Sequence, residues 1–375
     1  MTGSQTRDER PRAVLVLPGR GAYTASTLGS IPADHPLVAR AEAIRAELGL
    51  DSLLALDAAD TFEPSVHLRP ANASPLIFLG ALLDAERATA DHRLVAVIGN
   101  SLGWYTALAV SGTLVFDDAF RLVQGIALLQ EEAAEGGVTG GQIIYPRVGV
   151  DWQPVEAYTA ALEAALTDGA DGTDGANVAQ AETDEAAGGP EDGGGESRAT
   201  DPDRAYSSVD LGAYVVLAAS DAGLARLIET LPPVQIGERQ FPLRLAFHGP
   251  YHTPLLASVA RAATERFTEL RWRAPSVTLI DGRGVRFTPW ATDPAELARY
   301  TLGEQIVTPY QFAASARVAL REYAPERLVL PGPGNTLGGV VGQLLVAEGY
   351  HGIRTRVDFE NAQASTAPLV LSMGR

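Results

Sequence analysis

Residues 95–108 read Val95-Ala96-Val97-Ile98-Gly99-Asn100-Ser101-Leu102-Gly103-Trp104-Tyr105-Thr106-Ala107-Leu108. The first four form a short apolar run rich in β-branched side chains, the pattern of a buried strand. Gly-x-Ser-x-Gly follows, and from Tyr105 onward the apolar spacing turns helical. A strand that passes straight into a helix through this motif reads as a nucleophile elbow. So sharp a turn needs neighbours without side chains, because strand, helix and substrate crowd one point. The helix behind Ser101 aims free backbone N–H groups at any negative charge developing there. The same letters also describe an ordinary strand–helix turn with an idle serine. The partners of Ser101 elsewhere in the chain must decide.

The whole chain has 375 residues, 46% apolar and 20% charged, enough for one large domain or two ordinary ones with a sizeable core. No apolar run approaches the roughly 20 residues of a membrane span, and the first twelve residues are polar. A cytoplasmic protein without a membrane partner is expected. There is no cysteine, so disulfides, thiolate catalysis and cysteine-ligated metals are excluded. The net charge of −17 argues against nucleic-acid binding. About half of it lies in 168–205, where Asp168 to Arg204 hold eleven carboxylates against two arginines. That segment of Gly, Ala, Asp and Glu is expected to be a disordered surface insert with no fixed geometry for a metal. Lysine is absent, a compositional bias that we give no functional weight.

Around the elbow, 13–17 reads as a buried strand, followed by Pro18-Gly19-Arg20-Gly21 at the carboxyl end where ligands of open α/β sheets sit. Helices are expected in the first half of 36–56, over 73–88, after the elbow, and over 117–132. The glycine-rich hinge at 136–141 changes the texture. Strand 142–146, helix 155–166, the acidic segment, strand 214–217, helix 221–231 and strand 243–247 describe a small inserted α+β unit. The large unit resumes with helix 255–270, strand 276–280, helices 296–305 and 311–323, and strand 327–330. Pro331-Gly332-Pro333-Gly334-Asn335 then turns into a final helix.

A serine nucleophile needs a base. Of six histidines, His35, His67, His92 and His351 stand in polar or loop-like contexts. His248 and His252 stand together at a strand end in Phe247-His248-Gly249-Pro250-Tyr251-His252-Thr253-Pro254-Leu255-Leu256, and pattern alone does not choose between them.

Pro18-Gly19-Arg20-Gly21, the elbow, His252-Thr253-Pro254-Leu255-Leu256 and Gly332-Pro333-Gly334-Asn335, in this order, resemble malonyl-CoA:acyl-carrier-protein transacylases and polyketide-synthase acyltransferase domains. The resemblance covers about 13–345 apart from the acidic segment. It selects His252 over His248 and implies a Ser101–His252 dyad. It also implies an oxyanion hole of the Leu102 and Arg20 backbone N–H groups, and Gln305 as the residue whose backbone carbonyl orients the histidine. Arg69, Asn100, Ile126 and Trp104 fall at positions that would line the substrate pocket. Ile126 stands where malonate-selective relatives carry the arginine that clamps the free carboxylate. Alone it favours an uncharged acyl group, whereas Arg20 or Arg69 offers a charge from another wall.

The expected fold is an α/β-hydrolase-like core with a mainly parallel sheet, spanning 12–136 and 249–375, plus a ferredoxin-like subdomain over 137–248. The expected reaction moves an acyl group from acyl-CoA, malonyl or a related short one, to the thiol of an acyl carrier protein through an acyl-serine. It needs no metal or redox cofactor, only the coenzyme A thioester as substrate. A serine hydrolase or thioesterase, and a non-catalytic scaffold, are the other readings. The oligomeric state stays open.

Overall fold

The computed structural model describes residues 9–167 and 203–374. The acidic segment expected to be disordered lies, but for 203–205, outside the described residues. The strands in chain order are β1 (Arg12–Leu17), β2 (Arg93–Gly99), β3 (Gly141–Pro146), β4 (Tyr206–Asp210), β5 (Tyr214–Ala219), β6 (Val234–Ile236), β7 (Arg239–Phe241), β8 (Leu243–Leu245), β9 (Leu279–Ile280), β10 (Arg286–Phe287), β11 (Arg327–Leu330) and β12 (Val370–Ser372).

Six of them form one sheet in the order β10-β9-β2-β1-β11-β12. β1 pairs in parallel with β2 and β11, β2 with β9, and β11 with β12, while β10 runs antiparallel at the edge. Ala13 to Leu17 are at most 1% exposed, as a central parallel strand covered on both faces requires. The mixed α/β architecture with a mainly parallel sheet is the expected one.

A second sheet has the order β4-β5-β3-β8, antiparallel throughout. Helices Glu156–Thr167 and Asp221–Thr230 flank it in sequence, and it has its own core around Ile143, Tyr145, Leu217, Leu224 and Phe241. The two sheets meet at Tyr310. Its N–H donates to the Ser208 carbonyl at 2.8 Å, and its carbonyl accepts from the Asp210 N–H at 2.9 Å.

Several elements depart from the sequence reading. The helix expected over 255–270 is a short turn, Pro254–Leu256, leading into Ala257–Arg266. The helix expected over 296–305 is broken into Pro294–Arg299, a π-helical turn Tyr300–Glu304, and Gln305–Val307. Gly338–Ala347 is not the final element, because helix Arg356–Gln363 follows and β12 closes the sheet edge against β11. β4 escaped notice because Tyr-Ser-Ser-Val-Asp has too little hydrophobic alternation to announce a strand. Among the described residues no helix is long and apolar enough to cross a membrane.

Candidate active site

β1 and β2 end in register, Leu17 beside Gly99, so the loops that follow them meet at the carboxyl edge of the sheet. The Asn100 N–H donates to the Leu17 carbonyl at 3.0 Å and pins the elbow to β1. Ser101 has φ +52°, in the left-handed region that side chains other than glycine rarely occupy. A nucleophile elbow has this strained geometry. The two motif glycines are steric necessities. A Cβ on Gly99 would lie 2.2 Å from the Gly103 carbonyl carbon, and one on Gly103 would lie 2.4 Å from the Leu17 oxygen.

Ser101 Oγ stands 2.6 Å from His252 Nε2, and His252 Nδ1 stands 2.7 Å from the Gln305 carbonyl oxygen. A carbonyl can only accept, so Nδ1 carries the hydrogen and the Nε2 lone pair faces the serine hydroxyl. His252 is 4% exposed. Burial pushes its pKa down to about 4, although the Gln305 carbonyl acts to raise it. The imidazole is therefore neutral near pH 7 and able to take a proton. His248 instead sets its Nδ1 2.9 Å from the Ala246 carbonyl, and makes no hydrogen bond to Ser101.

The carbonyl of Gln305 is available for a local reason. Its helical partner four residues on would be Pro309, which has no N–H to give. Thr308 is already extended, as residues before proline tend to be. The helix end thus leaves the Gln305 carbonyl open, and His252 fills it. Tyr105, on the elbow helix Gly103–Val110, donates to Gln305 Oε1 at 2.8 Å and fixes the glutamine from below. Tyr310 lays its ring 5.4 Å from the His252 ring and donates its hydroxyl to the Gly99 carbonyl at 2.6 Å. Sequence reasoning missed both tyrosines, and only their places four residues after Ser101 and just after Pro309 hinted at them. The backbone N–H groups of Leu102 and Arg20 donate to no protein acceptor among the described residues.

A cavity opens beside the dyad, lined by Arg20, Ser74, Val123, Ile126, Ala127 and Tyr251 among others. Of the expected pocket residues, Ile126 is there, 2% exposed. Three are not. Trp104 is fully buried, with its Nε1–H on Thr301 Oγ1 at 3.0 Å and its ring edge-on to Tyr300. Asn100 backs onto Gly19, where even a Cβ would come within 2.9 Å of its Nδ2. Arg69 turns to Glu131 at 2.7 Å, its side chain 55% exposed, and does not line the cavity. Trp104 and Arg69 are each captured by a side chain distant in sequence, whereas Asn100 is packed against the loop after β1 with its Oδ1 buried and unpartnered. Among the described residues no cluster of three or more His, Asp or Glu side chains is arranged to hold a metal.

No family model matches the chain. It is 24% identical over 335 residues to the malonyl CoA-acyl carrier protein transacylase of Escherichia coli K12, covering 88% of this chain and 92% of that protein. Among solved structures it is similar to the acyl-carrier-protein S-malonyltransferase of Burkholderia pseudomallei 1710b, with TM-score 0.64 and 21% identity over 89% of this chain and 93% of that one. It is also similar to the acyltransferase domain from the second module of the salinomycin polyketide synthase, with TM-score 0.64 and 19% identity over 98% of this chain and 69% of that one. These structural likenesses establish the fold. The similarity first carried by four motifs extends over nearly nine-tenths of the chain.

Proposed function

We propose that this chain is an acyl-carrier-protein S-acyltransferase that works through an acyl-serine on Ser101. The observation that carries the reading is the continuous line Ser101 Oγ, His252, Gln305 carbonyl, at 2.6 and 2.7 Å, built on a strained elbow. Ser101 Oγ attacks the carbonyl carbon of an acyl-CoA thioester while His252 Nε2 takes its proton. The Leu102 and Arg20 backbone N–H groups hold the tetrahedral oxyanion. Collapse breaks the C–S bond, and His252 returns the proton to the departing coenzyme A sulfur. The carrier-protein thiol then attacks the acyl-serine ester, with His252 taking the thiol proton and giving it back to Ser101 Oγ. No step in this scheme calls for a metal or redox group, and we take the reaction to be cytoplasmic.

Two units divide this work in our reading, 12–136 with 249–375 as the catalytic core, and 137–248 as a ferredoxin-like insert. Separate sheets and a second core cluster within the insert support that division, as does the strand order of the second sheet, while Val209, Leu211 and Val216 pack into the larger core.

The test is to incubate the protein with malonyl-CoA and with short acyl-CoAs and weigh it intact, then add holo carrier protein or buffer. Mass gain at Ser101 that moves to the carrier protein supports transfer. Mass lost equally fast to buffer favours hydrolysis, and no mass gain with any thioester removes the catalytic reading.

A further inference from the structure

Arg20 lies in the loop after β1, at the wall shared by the cavity that holds Ser101 and His252 and a neighbouring cavity lined by Leu68 and His248. Its partners are all neutral. Nη1 donates to Tyr251 Oη, and Nη2 donates to the Leu68 carbonyl at 3.0 Å and the Phe247 carbonyl at 3.3 Å. The guanidinium also stands 5.1 Å from the centre of the Tyr251 ring. No carboxylate pairs with it among the described residues. A guanidinium keeps its charge and has five N–H donors, so the Nε–H and one Nη1–H remain unused.

A half-buried cation without a counter-ion is an unfinished pair, and here it belongs to a residue that borders the cavity of Ser101 and His252. Its three contacts fix the fork in place without neutralising it. Val123, Ile126 and Ala127 give that cavity an apolar wall, which strengthens any ion pair formed against it. Ser74, 3% exposed, lines the same space with a hydroxyl that has no partner among the described residues. Arg69 is excluded from this role by its bond to Glu131.

We propose that Arg20 is the carboxylate-recognising residue of this site, and that the transferred acyl group ends in a free carboxylate, with the Ser74 hydroxyl as a second donor. This rests on the acyl-transfer reading and inverts the preference that Ile126 alone suggests. The charge is supplied from the loop after β1 rather than from the helix Phe116–Glu135 that carries Ile126.

The test compares single-turnover acylation of Ser101 by malonyl-CoA and acetyl-CoA, read by intact mass, in the wild type, Arg20→Gln and Arg20→Lys. The wild type should favour malonyl. The malonyl-to-acetyl ratio should fall about 10- to 100-fold in Arg20→Gln, the scale of hydrogen bonds to a charged group. Arg20→Lys, which keeps the charge but not the fork, should fall between. A ratio unchanged in Arg20→Gln, with both rates lowered together, would show Arg20 acting on the oxyanion or on coenzyme A phosphates and would overturn the proposal. A wild type that accepts acetyl and refuses malonyl also overturns it while leaving acyl transfer intact. No acyl-serine from either thioester overturns both.

Discussion

Ser101 meets two demands that pull in opposite directions. Its φ of +52° presents Oγ to His252, and it also holds an L-residue where the backbone is strained by about 1–2 kcal/mol. Replacing it by alanine removes the nucleophile and keeps the strain, so we expect at least about a 10³-fold loss of acyl transfer with the melting temperature unchanged. Ser101→Gly should be equally inactive yet melt above Ser101→Ala, by about 0.5–1 kcal/mol once glycine's larger unfolded entropy is counted. Calorimetry on the two variants checks the order, and a glycine variant melting lower would mean the elbow is relaxed. His252 gives a second prediction. Its pKa is depressed to about 4 in the folded protein, against 6.5 for the free side chain. The neutral base therefore persists well below pH 6, and the acidic limb of the acylation rate should fall near pH 4. The unfolded chain takes this proton first, so the site's contribution to stability declines from pH 6.5 downward and levels off below about 4. A rate limb between 6 and 7 would place His252 in contact with water.

At the level of elements, the broken helix around Gln305 matters more than any single contact. A continuous helix through 296–309 would satisfy the Gln305 carbonyl internally and leave His252 Nδ1 without an acceptor. Pro309→Ala restores a competing N–H, and we expect it to lower acylation several-fold, with a smaller change in melting temperature than in rate. Unchanged kinetics would show that the extended Thr308 alone ends the helix. The elbow, β1 and the pairing of His252 with Gln305 were legible in the sequence, the last through resemblance. The elbow was readable because its glycines answer to atoms a few residues away, or to the neighbouring strand. The directions of Trp104 and Arg69 were not readable, since Thr301 and Glu131 set them across the fold. The Pro309 signal stands in the letters, since a proline four residues after Gln305 leaves its carbonyl without a helical donor. β4 stayed hidden because its own letters lack alternation, although its partner β5 is a patterned strand.

Across the whole molecule, Tyr310 is held by backbone bonds to the second sheet, by its hydroxyl to the end of β2, and by its ring to the base. Tyr310 thus ties the line Ser101, His252, Gln305 to both sheets, and the parts of that line come from three distant stretches of chain. Their order has a consequence for how the protein is made. A ribosome releases the elbow serine first, the histidine some 150 residues later (|i−j| of 151 for this pair), and Gln305 and Tyr310 later still. β11, which flanks β1 in the central sheet, follows only after these. A nascent chain stalled at residue 300 carries both Ser101 and His252 yet lacks the acceptor that sets the tautomer. We expect such a stalled chain to remain unlabelled by a serine-reactive fluorophosphonate, whereas the released full-length protein labels at Ser101. On the proposed acyl-serine reading, we expect Ser101 to be synthesised early and to stay chemically silent until Gln305 has emerged, so that a half-made chain does not load itself from the surrounding acyl-CoA pool.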